Sequence, residues 1–301
     1  MKRYFIVATK DTPLSRLMTE LLPRQHRESI ATIIAAGGVW RNKVRLMNPD
    51  ELIRHKETVT IHIEPGQELE YIMNPEHVVY ENHHFLVVYK PGRLNVHAVP
   101  SSLTNHLTHG VNQYLIQTGV NYHATPITRL DQPVSGLVVF GKHKKAEREL
   151  FRLAKEKKIR KWYRAALEKP APQENFRFQD RISNKKNRTA ADPDGKFADS
   201  LFAFKEETEL ANIYSVFTFT GRRHQIRFHA FNYLSPILGD RLYESCYIFA
   251  KGEIALLCCG YNIPFWGKRH KVRLPEALHQ EYLQKIHRAE KKKTETKVAK
   301  L

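Results

Sequence analysis

Cysteine is scarce in this chain. Its 301 residues include only three, Cys246, Cys258 and Cys259. Two of these adjoin, so no disulfide framework can be built, and a reducing, cytoplasmic setting is expected. Long apolar runs are missing too. Mean hydropathy is −0.51, and no stretch approaches the roughly 20 apolar residues that cross a bilayer. Neither a basic amphipathic helix nor a lipidation signal offers another route to a membrane. The opening MKRYFIVATK has an apolar stretch that stops at Lys10-Asp11, shorter than a secretory signal requires. Acidic residues are few, 31 against 49 Lys and Arg, which leaves a net charge of +18. There is no P-loop, no dinucleotide fingerprint, no serine nucleophile elbow and no zinc-ligand pair of the usual spacing. These absences argue against chemistry driven by ATP or NAD and against a bound metal.

What remains is an ordinary globular composition, 42% apolar and 27% charged, long enough for about two domains at roughly 150 residues each. The surplus positive charge attracts polyanions. It recurs in clusters at 41–46, 142–148, 155–164, 185–188, 222–227 and 268–273. Charge spread in this way suits a long, bent phosphate backbone better than one docking patch, so a nucleic acid is the expected partner.

Residues 1–65 read as a small basic module. Leu14, Leu17, Met18, Leu21 and Leu22 have helical spacing, and Ile30, Ile33 and Ile34 mark a second helix that Gly37-Gly38 ends. A hairpin turning at Asn42-Lys43 and an alternating strand at 59–63 follow, with Arg24, Arg27 and Lys43 as its RNA-binding candidates. From residue 76 to 287 the pattern is strand-rich. Strands are predicted at 77–80, 85–89, 137–140, 161–168 and 213–220, and helices at 105–117 and 144–158. The polar stretch 183–199 reads as an exposed loop, and 288–301 as a basic disordered tail. The fold class expected is α+β, a mixed, largely antiparallel sheet with flanking helices, preceded by the small α/β module.

Three constellations could carry chemistry. Arg129-Leu130-Asp131 precedes a Pro133/Gly136 turn and a buried strand. A carboxylate there can be a nucleophile, a general base or a turn acceptor. Thr220–His229 follows a strand and opens a helix on which Arg223 and Arg227, four apart, would share a face. Within it lie Arg222, His224 and Gln225, candidates for substrate binding. Lys161-Trp162-Tyr163 lies on a strand, where Tyr163 can stack on a base, lend a hydroxyl or pack in the core.

In order along the chain these pieces resemble the RluA family of pseudouridine synthases. The resemblance runs over about residues 76–275, through Tyr89-Lys90-Pro91-Gly92, Arg129-Leu130-Asp131 with Ser135-Gly136-Leu137, Lys161 and Tyr163, Gly195-Lys196, Thr220–His229, Pro236–Asp240 with Tyr243, and Leu256-Leu257. The first 65 residues look like the small RNA-binding domain that often precedes this catalytic domain. The resemblance implies that Asp131 attacks the target nucleoside and that Tyr163 stacks on the uracil and assists proton removal. It implies that Arg227 pairs with Asp131, Leu257 lines the pocket, and Arg129 enters the space of the flipped nucleotide or touches its backbone. Thr128 stands where the family usually has His and Val134 where Thr is frequent, which implies an altered substrate fit; Cys258-Cys259 stands where His-Ala is common, a departure that bears on the local hydrogen bonding.

Isomerising uridine transfers no net atoms, so no cofactor is expected. Extruding the base costs a few kcal/mol, and basic grooves and stacking aromatics offset it. A guanidinium beside Asp131 would favour its charged form. The expectation is an RNA pseudouridine synthase acting on ribosomal or transfer RNA, a monomer by default. The rivals are a non-catalytic RNA-binding or ribosome-assembly factor on the same fold, and a hydrolase of the base–sugar bond, which would want a second carboxylate.

Overall fold

The computed structural model describes residues 2–22, 30–35, 37–63, 70–99, 104–250 and 252–291. The chain divides into two compact units, Met1–Met73 with Asn95–Asn121, and Asn74–Leu94 with Tyr122–Leu301.

The first unit holds β1 (Lys2–Val7), β2 (Thr12–Pro13), α1 (Leu14–Leu21), α2 (Ile30–Ala35), β3 (Val39–Arg41), β4 (Val44–Leu46), β5 (Leu52–Ile53), β6 (Thr58–Ile63) and α3 (Leu107–Gln117). Its main sheet runs β1-β6-β3-β4, antiparallel throughout. The helical spacing of Leu14, Leu17 and Met18 puts one face of α1 into a core with Ile33, Ile34, Val39, Val59 and Ile61. Asn42 and Lys43 both have positive φ (48° and 68°) and close the β3–β4 hairpin, as a primed two-residue turn requires.

The second unit comprises β7 (Val78–Glu81), β8 (Phe85–Lys90), β9 (Ser135–Gly141), α4 (Lys144–Lys155), β10 (Arg160–Glu168), β11 (Phe176–Lys185), β12 (Arg188–Ala191), β13 (Lys196–Glu207), β14 (Ala211–Thr218), α5 (Gln225–Tyr233), β15 (Tyr247–Ile248), β16 (Leu256–Phe265), β17 (Lys268–Arg273), α6 (Glu276–His287) and β18 (Glu290–Lys291). Ten strands form one sheet in the order β12-β11-β13-β14-β10-β16-β9-β8-β7, with β17 on β16. Only the β16–β9 pair is parallel, so the sheet is mixed and largely antiparallel. β8 and β9 are buried at every position, which explains the apolar runs Phe85–Tyr89 and Leu137–Phe140 within them.

Two expectations are corrected. The polar stretch 183–199 is not a loop. Its residues end β11, form all of β12 and begin β13, paired at Lys185↔Arg188 and Ile182↔Lys196. Its composition is that of a sheet edge whose side chains meet solvent. The disorder expected from 288 does not hold for 288–291: Glu290–Lys291 pairs with Tyr247–Ile248, and Ala289 is buried. Residues 292–301 lie outside the described residues.

Candidate active site

Three tethers set Asp131. The first is the strand it leads into. Gly136 in β9 has φ 122°, and a Cβ there would fall 2.4 Å from both N and O of Cys258 in β16. Only glycine lets the two backbones approach so closely. The second is Lys90 at the end of β8. It is wholly buried, and its Nζ donates to the carbonyls of Pro91 (2.9 Å), Leu94 (2.8 Å) and Gln132 (3.1 Å), the last being the residue after the acid. Burial pulls the Lys90 pKa down to about 7, against the opposing pull of Asp131 and Glu253.

The third tether comes from α5. Arg227 Nη1 donates to Asp131 Oδ2 at 3.1 Å, while Nε and Nη2 grip Asp240 at 2.6 and 2.8 Å. Asp240 is 1% exposed, and the guanidinium also lies 5.2 Å from the Tyr243 ring centre. Burial works against the Arg227 charge, but the two carboxylates outweigh it and raise its pKa. Arg227 therefore stays a cation, aimed by one acid at the other.

The chain reaches α5 through a left-handed His224, φ 52°. That conformation takes Arg223 off the helix, so Arg223 and Arg227 do not share a helix face as their spacing suggested. His224 Nε2 stands 3.7 Å from Asp131 Oδ2, and Nδ1 stands 3.2 Å from the Tyr243 hydroxyl. Burial lowers the His224 pKa to about 4, with Asp131 opposing and Arg227 reinforcing. The ring is neutral at pH 7.

These groups open onto a cavity of about 360 Å³, whose walls include Arg129, Asp131, Lys161, Tyr163, Arg227 and Leu256. Tyr163 is buried in β10, and its phenol lies well above the usual range because of burial and then Cys258 and Asp131. It stays protonated. Lys161 Nζ is 6.0 Å from the Tyr163 ring centre, and burial lowers its pKa. The cavity thus combines a carboxylate, a fixed guanidinium, an aromatic face and an apolar floor. That is what a nucleophilic acid and an extruded base require.

The candidates read from sequence fare unequally. Asp131, Tyr163 and Arg227 converge, and Arg129 sits exposed on the same cavity wall. Arg222 and His224 also line it, though Arg222 Nε donates to the Phe197 carbonyl at 2.9 Å. Gln225 is spent on the chain itself. Its Nε2 donates to the Asp199 carbonyl and Ser200 Oγ, and its Oε1 accepts from Thr220 Oγ1 and Arg222 N. It braces the loop and has no amide bond left for a substrate. Leu257 is wholly buried but is not among the cavity's lining residues; Leu256 is. Residues alternate between sheet faces, and Leu256 and Cys258 pair with Ala165 and Tyr163, whereas Leu257 pairs with Arg164. Lys43 is exposed in its hairpin turn; Arg24 and Arg27 lie outside the described residues. Sequence reasoning missed the roles of Lys90 and Asp240. The turn Ile237-Leu238-Gly239-Asp240, with Gly239 at φ 82°, was the available signal.

Among the described residues, one group brings three metal-capable nitrogens within 4.8 Å of one another: His83, His84 and His143. His143 Nδ1 accepts from Ala146 N, which leaves its proton on Nε2, the atom 3.1 Å from His84 Nδ1. That tautomer suits a hydrogen bond better than a ligand. The group lies past the far end of β9 from Asp131, on the order of 20 Å along the strand, and takes no part in this site.

A sequence profile described as RNA pseudouridylate synthase matches residues 84–231, a span that contains Asp131, Tyr163 and Arg227. Over that span, just under half of its length, the chain resembles the RNA pseudouridylate synthases. A protein of Aquifex aeolicus named an uncharacterized RNA pseudouridine synthase is 27% identical over 252 residues, 79% of each chain. The ribosomal large subunit pseudouridine synthase D of Neisseria meningitidis is 26% identical over 76% of this chain and 63% of its own length. Synthase C of Buchnera aphidicola is 28% identical over 55% of this chain and 53% of its own. This chain thus spans less than two thirds of those two ribosomal synthases. The fold matches human RNA pseudouridylate synthase domain containing 4 with a TM-score of 0.57, at 17% identity over 72% of this chain and 95% of that one. The matching domain containing 1 protein scores 0.56, at 19% identity over 71% and 86%.

Proposed function

We propose that this pseudouridine synthase acts on uridines of large-subunit ribosomal RNA, with Asp131 as the attacking carboxylate. The observation that supports the roles is the single guanidinium, Arg227, shared between Asp131 at a cavity and the buried Asp240. It keeps a charged acid pointed at one place before substrate arrives, so little reorganisation is needed in the transition state. Asp131 attacks the nucleoside, the bond between C1′ and N1 breaks, and the uracil turns over. C5 then bonds to C1′ as the bond to Asp131 breaks and the carboxylate is released; C5 sheds its proton, while N1 gains one. The atoms balance with no co-reactant. Tyr163, a neutral phenol, gives the base a face to stack on, and its hydroxyl assists removal of the C5 proton. Arg129 at the rim contacts the RNA where the base leaves its stack.

The ribosomal target rests on the names of the relatives. Residues 1–65 act as a separate RNA-holding module, with Lys43 at its exposed hairpin tip. The enzyme works as a cytoplasmic monomer and needs no nucleotide cofactor. No helix among the described residues is long and apolar enough to cross a membrane.

The test uses in-vitro-transcribed large-subunit ribosomal RNA tritiated at uracil C5. Wild type releases tritium to water. Asp131→Asn releases none and binds the RNA with affinity within about threefold of wild type. Release by the variant would remove Asp131 from the mechanism, and free uracil in the products would replace isomerisation by hydrolysis.

A further inference from the structure

A second concavity adjoins the first. It is an open groove of about 620 Å³ that shares Lys157 and Phe219 with the wall of the catalytic cavity. Lys158, Arg160, Arg177 and Arg269 add four more exposed cations. They come from the turn after α4, the start of β10, β11 and β17, segments far apart in sequence that meet at one end of the sheet. The lining has two acids, and both are already engaged. Glu156 pairs with Arg152 and Lys158, and Asp199 pairs with Arg177. Among the described residues, Lys157, Arg160 and Arg269 have no carboxylate within 4 Å.

The second feature is Phe219, which is half-buried. The guanidinium of Arg160 lies 5.7 Å from its ring centre and that of Arg177 lies 5.0 Å from it. An aromatic ring with two guanidinium groups over it, at the junction of two concavities, has the composition of single-stranded nucleic-acid sites. There bases stack on rings while cations follow the backbone. An unpaired cation row with no acid to answer it asks for a chain of phosphates, not for a single anion.

The geometry points to this groove as the track for the unpaired RNA strand flanking the target uridine: the adjoining nucleotide stacks on Phe219, and successive phosphates meet Lys157, Arg160 and Arg269. This deepens the reading of the chain as an RNA pseudouridine synthase and rests on it. The track explains how one base can be held in the cavity while its neighbour is kept from restacking on it. Holding the neighbour offsets part of the cost of extrusion.

Charge removal at the groove is compared with equal charge removal at the other end of the same strands. Arg160→Gln/Arg269→Gln takes two cations from the groove. Lys169→Gln/Lys205→Gln takes two from exposed sites past the far end of β10 and late in β13. Affinity for the tritiated large-subunit RNA is measured from 50 to 300 mM salt, together with KM and kcat for tritium release. The groove variant should lower the slope of log affinity against log salt by about 1 to 1.5 and raise KM about tenfold, moving kcat much less. The control pair should leave the slope within about 0.3 of wild type. Phe219→Ala should weaken binding about tenfold, and Phe219→Trp should restore it. An unchanged slope in Arg160→Gln/Arg269→Gln overturns the track, and so does an equal loss in the control pair. A wild type that binds the RNA and releases no tritium, yet shows the groove-specific slope change, keeps the track and removes the proposed reaction.

Discussion

Asp131 and Asp240 share one guanidinium on unequal terms, and replacing each by Asn separates catalysis from stability. Asp240 is almost fully buried, its side chain 1% exposed, and it receives two of the three Arg227 bonds. Asparagine there offers one acceptor and turns an NH₂ group toward a guanidinium N–H. Arg227, 5% exposed at the side chain, would be left a buried cation short of its main partner. Breaking a buried pair from one side costs about 3–5 kcal/mol. The Asp131 side chain keeps 27% exposure and accepts a single bond from Arg227 at 3.1 Å. Losing that bond leaves the Asp240 fork intact and costs about 1 kcal/mol or less. Against a typical total of about 5–15 kcal/mol, the first change cripples the fold and the second is barely felt. Urea unfolding at pH 7, followed by tryptophan fluorescence and far-UV circular dichroism, measures both, with tritium release measured on the same samples. Asp131→Asn should unfold near the wild-type midpoint and be inactive, whereas Asp240→Asn should unfold several kcal/mol sooner. A loss above about 2 kcal/mol in Asp131→Asn would refute the division of roles, as would a loss below about 1 kcal/mol in Asp240→Asn.

Gly136→Ala forces a Cβ into the backbone of Cys258 at a φ of 122°. Strain and overpacking together should cost about 3 kcal/mol or more, read as a lowered urea midpoint; a midpoint within about 0.5 kcal/mol of wild type would mean that the strands need not approach so closely. His229 is wholly buried, and burial lowers its pKa to about 4, with Asp180 and Asp199 opposing. An unfolded histidine titrates near 6.5, so on acidification the unfolded chain takes up the proton first. The stability this ring contributes is present above about pH 6.5 and lost as pH falls toward 4, about 2 kcal/mol between pH 7 and 5. His229→Gln should reduce the wild-type difference in stability between those two pH values by that amount. An equal difference in variant and wild type would show that the His229 ring takes up its proton in the folded chain over the same pH range as in the unfolded one.

Much of the scaffold was legible because it follows periodicity. The face of α1 is written in Leu14, Leu17 and Met18, and β8 and β9 in the apolar runs within them. The stretch 183–199 was misread because edge strands with solvent on their faces carry the residues of loops; only pairing with distant segments makes them strands. Gly195 shows this, since a Cβ there would meet the backbone of Ile182 at 2.6 Å. The acid, the tyrosine and the arginine were legible only as an ordered set, because no one of them has a distinctive local environment. The choice of Leu257 over Leu256 failed on parity. A bulge at Trp162/Tyr163 shifts the register with β16, and one residue of offset reverses which side chain meets the cavity. Gln225 lines the cavity, but its amide is engaged elsewhere. Its spacing said that it was near the site, but its partners, which spend its amide, come from β13 and from the loop after β14.

The tethers of Asp131 explain why the resemblance had to be read across nearly 200 residues. The Lys90 amino group holds the backbone just after the acid from β8, Gly136 and Cys258 hold the strand beyond it, and Arg227 holds the carboxylate itself from α5. Each tether acts on a different part of the same short turn, and each reaches it from a distant point in the chain. A turn fixed at backbone, strand and side chain has few ways to move, which is the condition for an acid to meet an incoming base without reorganising. The tethers also differ in kind. One is a buried amino group satisfied by carbonyls, one is a close backbone contact, and one is an ion pair balanced by a second acid. Loss of any single tether therefore leaves two unlike ones in place. That redundancy ties the placement of Asp131 to the core of the sheet rather than to the loop in which it sits.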